Sequence, residues 1–185
     1  MNELPLFEIS ELNKEILSSD NFRNEFIVAD LFGSHFPSED PNALYTLPLR
    51  FNALTFVLIT QGTVKIGIDY TLYTLEKNTF MTIMPTHTVQ VHMRSEDFKA
   101  KMVVISKGFL DGCNPSKTPP SATLYMQIRK NPFATLKPGD LKIVDDYFQL
   151  FRRKINMKNH HFQLEVLQNT FIGFTLELGN IFADK

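Results

Sequence analysis

The hydrophobic pattern of this chain changes period once, near residue 138. Before that point apolar residues form short runs or alternate with polar ones, with Gly, Pro, Asn and Asp between them. That is the signature of antiparallel strands. Phe26–Phe32 (FIVADLF) reads as a short buried strand, and Leu54–Thr60 as a strand covered on both faces. Val64, Ile66, Ile68 and Tyr70 share one parity, with Thr63, Lys65, Gly67 and Asp69 on the other, which predicts a half-solvated strand. Further strands are predicted at Tyr45–Phe51 (an edge, because of Pro48), Leu72–Leu75, Phe80–Met84, Val89–Met93 and Phe98–Ser106. Gly33–Asn42 and Gly108–Pro120 read as loops, and Leu124–Ile128 as a brief strand or helical turn.

After the change the spacing is helical. Val144, Tyr147, Phe148, Phe151 and Ile155 predict one amphipathic helix. A second runs from about His161 to the end, where Leu164, Leu167, Phe171, Phe174, Leu178 and Ile181 recur by threes and fours. Phe162, Val166 and Ile172 widen that stripe enough to predict that part of it meets a partner chain. No capping Gly or Pro precedes Lys185, so a further domain is expected beyond it. The expected organisation is an N-terminal arm over 1–24, a β-barrel over 25–130 and a helical hairpin over 138–185. In the arm, Ser10 caps a possible helical turn up to Ser18.

Composition narrows the function. Nineteen basic residues against 20 acidic give a net charge of −1, which is no footprint for nucleic acid. A single cysteine, Cys113, excludes an intrachain disulfide and fits a reducing compartment. No apolar run is long enough for a transmembrane helix and the N-terminus has no secretory pattern, so a cytoplasmic protein without membrane contact is expected.

The candidate chemistry is sparse. His87 and His92 lie five positions apart, His160 and His161 are adjacent, and there is no His-x-His, so neither a metal nor another cofactor is expected. Cys113 reads as a structural thiol rather than a nucleophile, and no phosphate or dinucleotide motif occurs. Asp145-Asp146 and Arg152-Arg153-Lys154 read as solvated helix surface. The better lead is polar side chains on apolar strands: Arg50, Thr60, Thr82, Gln90 and His92, with His87 at the expected barrel rim.

The order of hairpins, the Gln61-Gly62 turn, Asn78-Thr79-Phe80 leading to Pro85 and His87, and two terminal amphipathic helices resembles the N-terminal cupin-like domain of AraC-family transcription regulators. Lys77-Asn78 stands where that family has a Gly-Asp-type turn. The resemblance implies an α+β fold, a cupin-like antiparallel barrel of about eight strands followed by two helices. It also implies a bacterial regulator that binds a small-molecule effector in the barrel and forms a homodimer, meeting DNA only through a C-terminal helix-turn-helix domain outside this sequence. Arg50, Phe56, His87 and His92 are the expected ligand contacts, and Leu164, Leu167, Phe171, Phe174 and Leu178 the expected dimerisation face, with no catalytic residue. The alternatives are a small cupin-fold enzyme, an isomerase or metal-dependent dioxygenase, and a dimerisation module without a ligand.

Overall fold

The computed structural model describes residues 6–10, 19–32, 47–85, 87–113 and 132–183. The expected Gly33–Asn42 loop, the Leu124–Ile128 element and the helical turn up to Ser18 lie wholly or mainly outside these residues. The strands are β1 (Leu6–Phe7), β2 (Ser19–Phe22), β3 (Phe26–Phe32), β4 (Arg50–Phe51), β5 (Ala53–Gln61), β6 (Thr63–Ile68), β7 (Thr71–Glu76), β8 (Thr79–Ile83), β9 (Val89–Arg94), β10 (Lys99–Ser106) and β11 (Phe133–Thr135). The helices are α1 (Lys107–Gly112), α2 (Pro138–Ile155) and α3 (Gln163–Ala183).

A six-stranded antiparallel sheet, in the order β11-β8-β5-β10-β3-β2, forms the centre. A three-stranded sheet, β7-β6-β9, covers one of its faces, and β1 pairs in parallel with β4. The fold is α+β, as expected, but the strands do not close into a barrel. Among the described residues no ladder joins the edges of the two large sheets, and there are eleven strands rather than about eight.

The central sheet is buried on both faces, and strand parity divides its side chains between two cores. Phe26, Val28, Phe56, Leu58, Phe80, Val103 and Ile105 face the helices. Ile27, Ala29, Val57, Ile59, Met81, Met102 and Val104 face the smaller sheet, where they meet Val64, Ile66, Ile68, Leu75 and Val89. Double coverage is the reason these strands read as continuous apolar runs.

The helical side is an aromatic core. Phe174 of α3 lies 5.5 Å, centroid to centroid, from both Phe56 of β5 and Phe151 of α2. Phe26 lies 5.0 Å from Phe109 and from Phe151. Phe109 explains why residues 107–112 form a helix where a loop is expected. The Ser106 hydroxyl accepts from the Phe109 amide at 3.1 Å, starting one turn that drives the buried ring into this core. Pro138 begins α2, Asp140 occupies its first turn, and Arg152, Arg153 and Lys154 its last, which suits the helix dipole.

Polar contacts fix α2 to the sheet. Arg152 pairs with Asp30 at 2.8 Å and Asp20 at 3.3 Å, and Lys101 pairs with Asp145. Arg152 and Asp145 are therefore attachment points rather than solvated surface. Arg153 is exposed, and Asp146 pairs with Lys142 on the helix exterior. Asp20 belongs to β2, so residues 19–22 of the expected arm are an edge strand of the sheet.

The sheets are joined at a crowded corner. Gly62, with φ +71°, carries the chain from β5 to β6, and a Cβ there would lie 2.8 Å from the Phe98 Cα on the returning connection. The Thr63 amide donates to the Ser95 hydroxyl at 2.9 Å, and the Ser95 amide to the Thr63 carbonyl at 3.0 Å. The absent side chain lets the two crossovers stack, and the left-handed φ favours glycine independently.

Candidate functional site: a cleft on the outer face of the smaller sheet

The smaller sheet turns Val64, Ile66 and Ile68 inward, leaving Lys65 and Gly67 on its outer side. Gly67 pairs with Leu72 of β7 on one side and Gln90 of β9 on the other. A residue without a side chain between two long ones leaves a trough. One irregularity shapes its end: Ile66 pairs with Val91 but Lys65 with Met93, so His92 is the extra residue of a β-bulge. Its ring swings back over the trough, with Nε2 3.2 Å from where a Gly67 Cβ would stand.

The far end is built by a turn and a bridge. Asp69 and Tyr70, at φ +47° and +67°, make the two-residue turn between β6 and β7. Both left-handed positions fit a type I′ hairpin, in which the second normally favours glycine. Tyr70 is 83% exposed, instead of sharing the inward parity of Val64, Ile66 and Ile68, because the strand ends at Ile68. A bridge between Leu49 and Val89 brings Pro48 and Arg50 alongside Thr88. The cleft so formed has a volume of about 240 Å³ and is lined by Pro48, Gly67, Tyr70, Leu72, Thr88, Gln90 and His92.

A chain of contacts steadies the polar rim. His87 is buried, with Nδ1 accepting from the Met84 amide at 3.3 Å. The neutral ring then carries its proton on Nε2, 3.9 Å from Asp69 Oδ2. Asp69 Oδ1 accepts from the Thr88 amide at 2.8 Å, and the Thr88 hydroxyl accepts from Arg50 Nε at 3.4 Å. His87 thus stands behind the wall of the cleft, aligning residues that face it.

Of the expected ligand contacts, the fold brings His92 into the cleft, Arg50 beside its Thr88 wall and His87 behind that wall. Phe56 points the opposite way from the central sheet, into the aromatic core. Gln90 lines the cleft, whereas Thr82 is buried in the central sheet and the Thr60 hydroxyl donates to the Lys99 carbonyl. Sequence reasoning missed Gly67, Tyr70, Leu72 and Thr88. A glycine inside an alternating strand was the available signal, since it marks a close approach or a recess.

The expected dimerisation seam is occupied within the chain. Leu167, Phe171, Phe174 and Leu178 are buried against the central sheet and α2, and Leu164 packs at their margin. The outer side of α3 instead exposes Ile172 and Leu176, and Phe162 just before the helix is exposed as well. Among the described residues no three His, Cys, Asp or Glu side chains converge as metal ligands, and no helix is long and apolar enough to cross a membrane. Burial pushes the Cys113 thiol up to about 12, which leaves it protonated and unreactive near neutral pH.

No family profile and no curated protein matches the sequence. Solved structures do. The chain superimposes on apo ToxT from Vibrio cholerae with a TM-score of 0.55 at 11% identity, covering 90% of this chain and 59% of that one. Weaker likenesses are to the AraC-like transcriptional activator CuxR (TM-score 0.42, 9% identity, 82% of this chain and 49% of that one) and to a cupin protein from Bacteroides fragilis (TM-score 0.34, 16% identity, 45% and 68%). The chain therefore shares the fold of the matching part of ToxT and spans about three fifths of the ToxT chain's length.

Proposed function

We propose that this chain is the ligand-sensing and dimerising module of an AraC-type transcription regulator, with no catalytic role. The observation that carries the reading is the layered arrangement. A cleft of about 240 Å³ lies outside one sheet, and a helical pair shares a continuous core with the next. The ToxT-like fold supports it. The effector occupies the outer cleft rather than the space between the sheets, where Val57, Ile59, Met102 and Val104 meet Val64 and Ile66. The dimer forms through the exposed side of α3, around Phe162, Ile172 and Leu176. DNA is met through a separate helix-turn-helix domain of a cytoplasmic protein. An effector acts by binding one arrangement of sheets and helices more tightly than another.

Sedimentation equilibrium tests the dimer. A reversible dimer is expected, and Leu176→Glu, which places a charge on an exposed position, shifts it to monomer without loss of fold. A chain that stays monomeric at every concentration contradicts the reading, as does a dimer indifferent to Leu176→Glu.

A further inference from the structure

We infer that His87 is a proton-operated strut: neutral, it ties the wall of the outer cleft to the helix-side core, and protonated, it lets that wall go. This rests on the sensor reading above and names a regulator of its cleft. Three observations converge on it.

The first is where the ring stands. Met84 and Thr88 both lie in the short link between β8 and β9, yet they serve opposite sides of the central sheet. The Met84 side chain lies in the helix-side core, and Thr88 lines the cleft. His87 joins them. Its amide donates to the Met84 carbonyl at 2.9 Å, which closes a turn, and its Nδ1 accepts from the Met84 amide at 3.3 Å. Across the ring, Nε2 faces the Asp69 carboxylate at 3.9 Å. Asp69 in turn holds Thr88 twice. Its Oδ1 accepts from the Thr88 amide at 2.8 Å, and its own amide donates to the Thr88 carbonyl at 2.9 Å.

The second is that this seat suits one protonation state. A ring whose Nδ1 accepts a hydrogen bond carries no proton there. Adding one sets two N–H groups against each other, in a side chain only 4% exposed. Burial opposes the charge as well. The titratable groups on the described elements around the ring are few. The β6–β7 turn offers Asp69 and the outward Tyr70, and β4 offers Arg50, which reaches the Thr88 hydroxyl. On β9 stand His92, over Gly67, and Arg94, over the Phe98 ring. Of these only Asp69 favours the imidazolium, and its side chain is 56% exposed and screened by water. The charged ring is accommodated by leaving its seat towards Asp69 and solvent, and the bond from the Met84 amide opens as it goes.

The third is the turn on which the ring bears. Asp69 and Tyr70 are both left-handed, at φ +47° and +67°, a conformation that strains a tyrosine. Such a backbone persists where its surroundings hold it. The contacts that hold Asp69 run to Thr88 and to the His87 ring. Release of His87 therefore loosens the turn that carries Tyr70, and Tyr70 and Thr88 are both walls of the cleft.

The test is a titration of the whole chain from about pH 7.5 to about pH 5, followed by amide and histidine ring chemical shifts. The His87 ring is expected to titrate with a midpoint below about 6.5, the value of a free imidazole. The amides of Met84, Asp69, Tyr70 and Thr88 are expected to move with that same midpoint. His87→Gln, whose neutral amide can still accept from Met84 and donate towards Asp69, abolishes the shared transition, while His92→Gln leaves it in place. If His87→Gln does not fold, Asp69→Asn takes its role: it keeps an oxygen for the Thr88 amide, removes the facing charge, and moves the midpoint about 0.3 pH unit or more towards acid. A His87 ring that stays neutral throughout, a ring that titrates without the four amides, a transition that survives His87→Gln, or a midpoint unmoved by Asp69→Asn overturns the inference. A shared transition in a chain that never dimerises would leave the strut standing while removing the sensor reading. A dimer whose four amides ignore the His87 titration would do the reverse.

Discussion

Replacing Phe174 with alanine tests whether α3 belongs to the domain core or to an interface. The Phe174 ring is fully buried, with neighbouring centroids at 5.2 Å (Tyr147), 5.5 Å (Phe56 and Phe151), 6.0 Å (Phe148) and 6.3 Å (Phe80). Truncating a buried Phe to Ala costs about 3–5 kcal/mol. Edge-on aromatic contacts each add about 0.5–1.5 kcal/mol beyond area. Because they share one ring and are not additive, the upper part of the truncation range is expected, near 4–5 kcal/mol. That is a large share of the 5–15 kcal/mol typical of a domain, so Phe174→Ala is expected to be folded but marginal. Urea unfolding followed by circular dichroism measures the change, with Leu176→Ala as the comparison. Leu176 lies on the same helix but is 68% exposed, and its truncation is expected to cost no more than about 0.5 kcal/mol. If Phe174→Ala does not fold, the milder Phe174→Leu should still cost about 1–1.5 kcal/mol. A loss below about 1.5 kcal/mol for Phe174→Ala at unchanged m-value, or an equal loss for Leu176→Ala, would refute the packing described.

Three further outcomes are expected. Gly62→Ala should destabilise by about 2–4 kcal/mol in the same assay, from an unfavourable left-handed φ and overlap with the Phe98 backbone; a loss within 0.5 kcal/mol contradicts the corner geometry. Arg152→Ala should cost about 1–3 kcal/mol, since it removes the shared cation of Asp20 and Asp30, whereas Arg153→Ala should stay within about 0.5 kcal/mol; equal effects would mean that Arg152 is mere surface. The Cys113 thiol is raised by burial from 9.0 to about 12, so between those values the unfolded chain releases a proton that the folded chain retains. Its stabilising contribution is therefore complete below pH 9 and declines towards pH 12. Cys113→Ala should flatten that decline relative to the parent protein, and parallel pH profiles would contradict it.

Much of the fold can be read from the chain because parity and period report burial directly. FIVA, FVLI and MVVI are apolar at successive positions, which requires cover on both faces, and the structure supplies a sheet on one face and helices on the other. The same reasoning cannot say which apolar surface meets which. The α3 seam has the spacing of a helix–helix interface, yet its Phe residues pack on the sheet, because Phe26, Phe56 and Phe80 offer an aromatic surface the pattern does not identify. Barrel closure was illegible for a related reason: strand count and alternation do not fix which edges pair. Arg152 and Asp145 looked solvated because their partners lie far away in sequence, at Asp30 and Lys101. At the cleft, the bulge that re-aims His92 is a single extra residue in an otherwise ordinary strand, and nothing in VQVHMR distinguishes it. Gly67 was missed although it carried a signal, because a recess is what an isolated strand glycine provides.

The central claim is that the cleft on the outer sheet and the helical face on the opposite side of the molecule form one responsive unit. Its most direct test is the dimer dissociation constant of this chain, measured by sedimentation with and without a saturating small molecule whose binding shifts the amides of the cleft residues Gly67, Thr88, Gln90 and His92. The account predicts a change of about fivefold or more when that molecule is bound. It also predicts the reciprocal change in its affinity between dilute and concentrated protein. A dissociation constant unmoved by the bound molecule would contradict the account.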